Sequence, residues 1–176
     1  MESVLEASTD RVEPLCELFS QCGGCQYQHI SVSVQRTWKR SQVKSLLAKI
    51  GDLPDVQVNE PVGTEVVYGY RSKITPHYNP ARKAERLAIG FQRRGTRSSL
   101  VDVSKCVIAS PAINEAYAAT RTLKFAEWET KLPKKGATLL FREHEAGVET
   151  DSRADVTQNV GDLNFTFRAG EFFQVS

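Results

Sequence analysis

Three of the chain's four cysteines fall within one short stretch, CELFSQCGGCQYQH, residues 16–29. Cys16, Cys22 and Cys25 are spaced C-x5-C-x2-C, and Cys106 follows far along the chain. Two ligands this close need small residues between them, so that the backbone can fold back while both sulfurs point at one centre. Gly23 and Gly24 supply that freedom. Four thiolates suit either a tetrahedral zinc or an iron-sulfur cluster, and spacing alone leaves both open. A disulfide pair fits neither the crowding nor a chain without a secretory start. His29 could replace a ligand, but with four cysteines at hand it reads as a surface or hydrogen-bonding residue. His77 and His144 stand apart and read as structural or exposed.

The elements that must position these thiols are legible from local pattern. Residues 1–15 read as a loose leader. A helix fits from Ser31 or Ser33 to Ile50, with either serine as cap and Val34, Trp38, Leu46, Leu47 and Ile50 as its apolar stripe. The stretch EVVYGYRSKITPHY is rich in strand formers, with Gly69 at a bulge and Pro76 at an edge or strand end. RLAIGFQ and SSLVDV flank the turn RRGTR, which predicts a hairpin with Arg93, Arg94 and Arg97 at its tip. A second helix fits Pro111–Phe125, with Ser110 as N-cap and Pro111 at its first position. GATLLFREHEAGVETD and ADVTQNVGDLNFTFRAG read as two further hairpins. Gly147 falls in the turn of the first, and Leu163, Phe165 and Phe167 alternate along a half-buried strand of the second. The fold class expected is α+β: a largely antiparallel sheet of hairpins with two helices packed on it.

The 176 residues carry 23 Lys and Arg against 21 Asp and Glu, and the small net charge of +2 hides a division. Residues 31–50 hold Arg36, Lys39, Arg40, Lys44 and Lys49 with no acid. Residues 69–106 hold nine cations against Glu85 and Asp102. Two basic blocks in a nearly neutral chain suit a surface facing a polyanion. No apolar run approaches the roughly 18 residues of a membrane span, and the N-terminus has neither a secretory nor an organelle-transit pattern. An intracellular, reducing compartment is expected; cytoplasm, nucleus and plastid are not distinguished.

C-x5-C-G-G-C-x-x-Q-H, followed by a helix containing Gln and Lys/Arg, resembles the iron-sulfur RNA uracil-5-methyltransferases, which make 5-methyluridine in ribosomal or transfer RNA. The resemblance continues in GYRSK (69–73), in IGFQRRGTRSSLVDVSKCVIASPAIN (89–114) and in FRAGEFFQVS (167–176). GYRSKITPHY is most similar to the plant and algal branch. The resemblance implies a 4Fe-4S cluster on Cys16, Cys22, Cys25 and Cys106, structural or RNA-related, tying the leader and first helix to the arginine hairpin. It implies RNA as partner, and Arg36, Arg40, Arg71, Lys73, Arg93, Arg94 and Arg97, all from the two basic blocks, are then the expected phosphate contacts. It also implies S-adenosylmethionine as methyl donor, with Gln174 on a cofactor-contacting position.

The family attacks carbon 6 of uracil with a cysteine thiolate and later removes a proton with a carboxylate. Here four cluster cysteines leave no nucleophile, and no glycine-rich strand-turn-helix is present to cradle a cofactor. The expected organisation is a leader (1–15), a cluster-bearing RNA-recognition domain (16–170) and the start of a junction (171–176). The Rossmann-like methyltransferase domain is expected beyond Ser176, so no catalytic residue is assigned and these residues alone are expected to be inactive. A stand-alone zinc- or cluster-bound nucleic-acid module is the alternative.

Overall fold

The computed structural model describes residues 4–80 and 87–174. Arg82, Lys83 and Arg86 of the second basic block lie outside the described residues, as do Val175 and Ser176. The chain forms two compact units: Met1–Glu17 with Cys25–Glu65, and Leu18–Gly24 with Val66–Ser176.

The first unit is built on α1 (Val32–Lys49). Ser31 is its N-cap, with Oγ accepting from the Val34 N–H, which satisfies one of the donors a helix start leaves unpaired. The expected apolar stripe is not buried. Trp38 is 43% exposed, Leu46 55% and Ile50 80%, and α1 has no buried residue. Polar contacts from α1 reach its neighbours: Gln35 Nε2 donates to the carbonyls of Tyr27 and Ile30, and Arg36 and Arg40 bond residues 58–65. The leader joins the same unit, with Val12 N–H donating to His29 O at 3.0 Å.

The second unit holds the remaining elements, all its strand ladders antiparallel. They are β1 (Lys73–Ile74), β2 (His77–Tyr78), β3 (Ile89–Gln92), β4 (Leu100–Asp102), α2 (Pro111–Thr130), β5 (Ala137–Thr138), β6 (Phe141–His144), β7 (Gly147–Glu149), β8 (Asp155–Val160) and β9 (Leu163–Arg168). Among the described residues they form not one sheet but three, in the orders β1-β6-β7, β4-β3-β2-β5 and β8-β9. The chain changes sheet at Pro76, between β1 and β2, and again at Leu139–Leu140, between β5 and β6. Leu139 N–H donates to Pro76 O at 2.8 Å, so the two crossing points are bonded to each other. Proline has no N–H for a ladder, which suits a break between strands rather than a strand interior. The GATLLFREHEAGVETD stretch is accordingly split. Its first strand pairs with β2, while β6 and β7 form the hairpin, with Gly147 opening β7 at φ 130°.

α2 starts as expected, with Ser110 Oγ accepting from Ile113 N–H, but runs beyond Phe125 to Thr130. The added turn brings in Trp128, 5% exposed, against Tyr78 and Phe125. α2 packs on β6 and β7, and the core joins Ile74, Ile89, Ile113, Tyr117 and Phe141. Burying an aliphatic or aromatic side chain of this size contributes roughly 1.5–3 kcal/mol. Gly90 makes the β3–β4 pairing possible, because a Cβ there would lie 2.0 Å from Val101 O. In β9, Leu163 is 63% and Phe165 40% exposed, so the expected half-buried strand buries less than its alternation suggests.

Candidate functional site

The arginine hairpin is assembled as the sequence predicts. β3 and β4 pair through Gly90–Asp102, Phe91–Val101 and Gln92–Leu100, leaving exposed Arg93, Arg94 and Arg97 in the connecting loop. Residues 18–24 lie against this loop as part of the same unit. Gly23 N–H donates to Gln92 O at 2.9 Å, Arg94 N–H donates to Gln21 O at 2.8 Å, and Cys22 bridges Arg93. A Cβ on Gly23 would lie 3.1 Å from Gln92 O, so a larger residue would need this backbone to give by a few tenths of an ångström. Phe19 is buried with the Arg94 guanidinium 5.1 Å from its ring centre, a cation–π contact. Cys22 is therefore held beside two arginines by backbone pairing. Its sulfur accepts from Gly24 N–H at 3.4 Å.

Cys106 follows β4, and its loop is clasped by one side chain of α2. Cys106 N–H donates to Asn114 Oδ1 at 2.9 Å. Asn114 Nδ2 donates to the carbonyls of Cys106, Ala109 and Ser110 at 3.0, 3.1 and 3.2 Å. Cys16, in the first unit, has a similar partner: its N–H donates to Gln28 Oε1 at 3.2 Å, and Gln28 Nε2 is buried with no acceptor among the described residues. The four thiols divide evenly, Cys16 and Cys25 in the first unit and Cys22 and Cys106 in the second. They form no disulfide, and among the described residues no three His, Cys, Asp or Glu side chains converge to hold a metal. The four-cysteine site thus rests on the sequence, not on a ligand set gathered here. His77 Nδ1 shares a hydrogen bond with Thr138 Oγ1 at 2.8 Å, and His144 Nδ1 accepts from Ala146 N–H.

The other cations assigned to phosphate contact are placed differently from one another. Arg71 is exposed, its backbone paired to Ile108 and Ser110. Arg36 donates to Glu65 Oε1 at 2.7 Å and to Thr64 O at 2.8 Å. Arg40 pairs with Glu60 and donates to Val58 O. These two hold residues 58–65 along α1, and a cleft of about 540 Å³ opens beside Arg40, with Lys44 on its wall. Lys73 Nζ donates to Gly170 O at 2.6 Å and Glu171 O at 2.9 Å. Desolvation, then the nearby Arg142 charge, push its pKa below the ordinary lysine value. Gln174 is exposed at the end of the described chain.

Two further residues, Arg142 and Asn114, organise the site without being marked as site residues by the sequence pattern. A cation directly after the apolar run Leu139, Leu140 and Phe141 is the available signal for Arg142. Nothing local marks Asn114, because its partners lie in the loop that α2 closes.

No family model matches the chain. It is 37% identical over 183 aligned positions to the tRNA (uracil(54)-C(5))-methyltransferase of Schizosaccharomyces pombe, a match covering 97% of this chain and 34% of that protein. It is 34% identical over 106 positions to the 23S rRNA (uracil(1939)-C(5))-methyltransferase of Shewanella sediminis, covering 59% of this chain and 23% of that one. The fold is similar to the crystal structure of Pyrococcus abyssi tRNA (uracil-54, C5)-methyltransferase in complex with S-adenosyl-L-homocysteine. The TM-score is 0.63 at 18% identity, over 98% of this chain and 49% of that one. The chain thus spans about a third or less of the length of these two curated relatives. Over the stretch it shares with them, it belongs to the RNA uracil-C5-methyltransferase family.

Proposed function

We propose that the chain is the RNA-recognition portion of an S-adenosylmethionine-dependent RNA (uracil-C5) methyltransferase, carrying a 4Fe-4S cluster on Cys16, Cys22, Cys25 and Cys106. The observation that carries this reading is the backbone pairing of Cys22 with Arg93, which joins the cysteine motif to the most basic loop of the chain. RNA recognition of this kind rests on phosphate contacts from flexible cations and on stacking of unpaired bases. Arg71, Arg93, Arg94 and Arg97 are exposed and suit the first task. Arg36 and Arg40 shape the first unit, and a phosphate there would compete with Glu65 and Glu60 for them. Lys73 Nζ donates to two carbonyl oxygens, which leaves one of its three N–H groups for a phosphate.

The donor set suits the cluster chemically: four thiols, none in a disulfide, in a chain for which a reducing intracellular compartment is the natural setting. Cys16 and Cys106 each give their N–H to a side-chain carboxamide, which orients the residue before any ligand binds. A cluster on all four would be structural. S-adenosylmethionine supplies the methyl group in this chemistry, and Gln174 is the residue here assigned to contact it. With all four thiols engaged, no thiolate remains to attack carbon 6 of uracil, so methyl transfer by these residues alone is not expected.

RNA binding measured against salt concentration tests the reading. Reversing charge at Arg93 and Arg94 together should weaken binding and reduce the salt slope by roughly 0.7–0.9 for each phosphate that is no longer neutralised. Unchanged affinity with an unchanged slope would remove the hairpin from the RNA surface.

A further inference from the structure

Antiparallel pairing of β1 with β6 sets Lys73 directly opposite Arg142. Like charges opposite each other are unfavourable, and Arg142 is only 1% exposed. Neither cation has a carboxylate within ion-pair distance among the described residues. A buried guanidinium without a counter-charge persists only where its N–H groups find good acceptors.

The acceptors all come from one stretch of backbone. Arg142 donates from Nε to Ala169 O at 3.3 Å, from Nη2 to Glu171 O at 2.6 Å and from Nη1 to Phe173 O at 2.7 Å. Lys73 adds Gly170 O and shares Glu171 O. Four of the five carbonyls from 169 to 173 therefore face the two cations. The Arg142 guanidinium also lies 5.3 Å from the Phe167 ring centre, and Phe167 stacks on Phe173 at 4.3 Å. β9 ends at Arg168, so this is a stretch without a ladder of its own, fastened through its backbone. The last bond fixes the peptide that joins Phe173 to Gln174.

We infer that Arg142, with Lys73, is a positioning residue: the pair clamps residues 169–173 so that Gln174 is presented in one orientation. The inference rests on the reading of Gln174 as a cofactor-contacting residue, but the clamp can be tested separately from that reading.

The test uses the 176-residue chain with Arg142→Met, Arg142→Lys, Lys73→Met and the Lys73→Met/Arg142→Met double variant. Two readouts are local: backbone 15N relaxation of residues 169–174, and the rate of cleavage after Glu171 by a glutamate-specific protease. Amide exchange in α2 and β3 reports whether the rest of the unit is intact. Arg142→Met should raise cleavage after Glu171 by about tenfold or more, the factor a charged hydrogen bond is worth, and loosen Gln174. Lys73→Met should do so less, and Arg142→Lys should restore part of the protection. Because both cations use Glu171 O and repel each other, each single variant leaves the other donor in place, and the double variant should exceed the product of the singles. Wild-type rigidity at Gln174 in a folded Arg142→Met chain would overturn the inference. So would equal loosening of α2 and β3, which would make Arg142 a contributor to global stability only. If Arg142→Met does not fold, Lys73→Met decides, since its cleavage after Glu171 must still exceed wild type. Loss of RNA binding with the clamp intact is the separate signature of a failed methyltransferase reading.

Discussion

Arg121 on α2 meets Asp102 on β4 through two parallel contacts, Nη1 to Oδ1 and Nη2 to Oδ2, each 3.0 Å. The same Oδ1 accepts from Ile89 N–H at 2.9 Å, and Arg121 Nη1 also reaches Ile89 O. Bidentate pairs of this kind fix orientation as well as distance. Here they lock the helix that clasps Cys106 to the hairpin that carries Arg93, Arg94 and Arg97.

Asp102→Asn keeps the shape of that contact but removes its charge. The Asp102 side chain is 34% exposed and that of Arg121 11%, so the cost lies between that of a surface and a buried pair. A loss of about 2 kcal/mol in chemical denaturation is expected. A change below about 0.5 kcal/mol would mean that core packing alone holds α2 on the hairpin.

Tyr117 gives the second unit an alkaline limit. Desolvation pushes its hydroxyl up to about 12, against the opposing influence of Arg121. Between pH 10 and 12 the unfolded chain loses this proton while the folded chain keeps it, so stability falls as pH rises. Each unit of separation is worth about 1.4 kcal/mol. Tyr117→Phe also loses the bonds to Ile89 O and Val103 O, so it should be weaker at neutral pH but flatter above about pH 10. An equally steep alkaline decline in Tyr117→Phe would assign the effect to another group.

Asn114→Ala strips the clasp from residues 106–110. It should cost about 1–3 kcal/mol, because the Cys106 N–H loses its side-chain acceptor and the carbonyls of Cys106, Ala109 and Ser110 each lose a donor. In the metal-free chain, maleimide modification of Cys106 should become several-fold faster as the loop opens locally. Asn114→Asp keeps the acceptor for Cys106 N–H and should fall between wild type and Ala. Unchanged modification rates in a folded Asn114→Ala chain would show that the loop is set by α2 packing alone.

The parts of the fold set by local chemistry are legible in the sequence. Ser31 and Ser110 cap the helices as their hydroxyls and the following residues suggest, and Arg93, Arg94 and Arg97 do stand in a hairpin loop. What escapes depends on distant pairing. The change of sheet at Pro76 makes sense only once Leu139 is bonded across from it, and Arg142 is explained only by carbonyls about thirty residues onward. Apolar periodicity overstates burial in α1, where arginine contacts rather than a buried stripe join the neighbouring segment. Lys73 shows the same limit, since charge counting does not reveal its two carbonyl partners.

The cluster is tested most directly by the iron, acid-labile sulfide and zinc content of the chain purified without oxygen, with Cys106→Ala alongside. About four irons and four sulfides per chain, absent from the variant, are expected for a 4Fe-4S site on these cysteines. One zinc without sulfide would contradict the cluster and favour a zinc-bound nucleic-acid module. No metal at all would leave Cys16, Cys22, Cys25 and Cys106 without the role assigned to them.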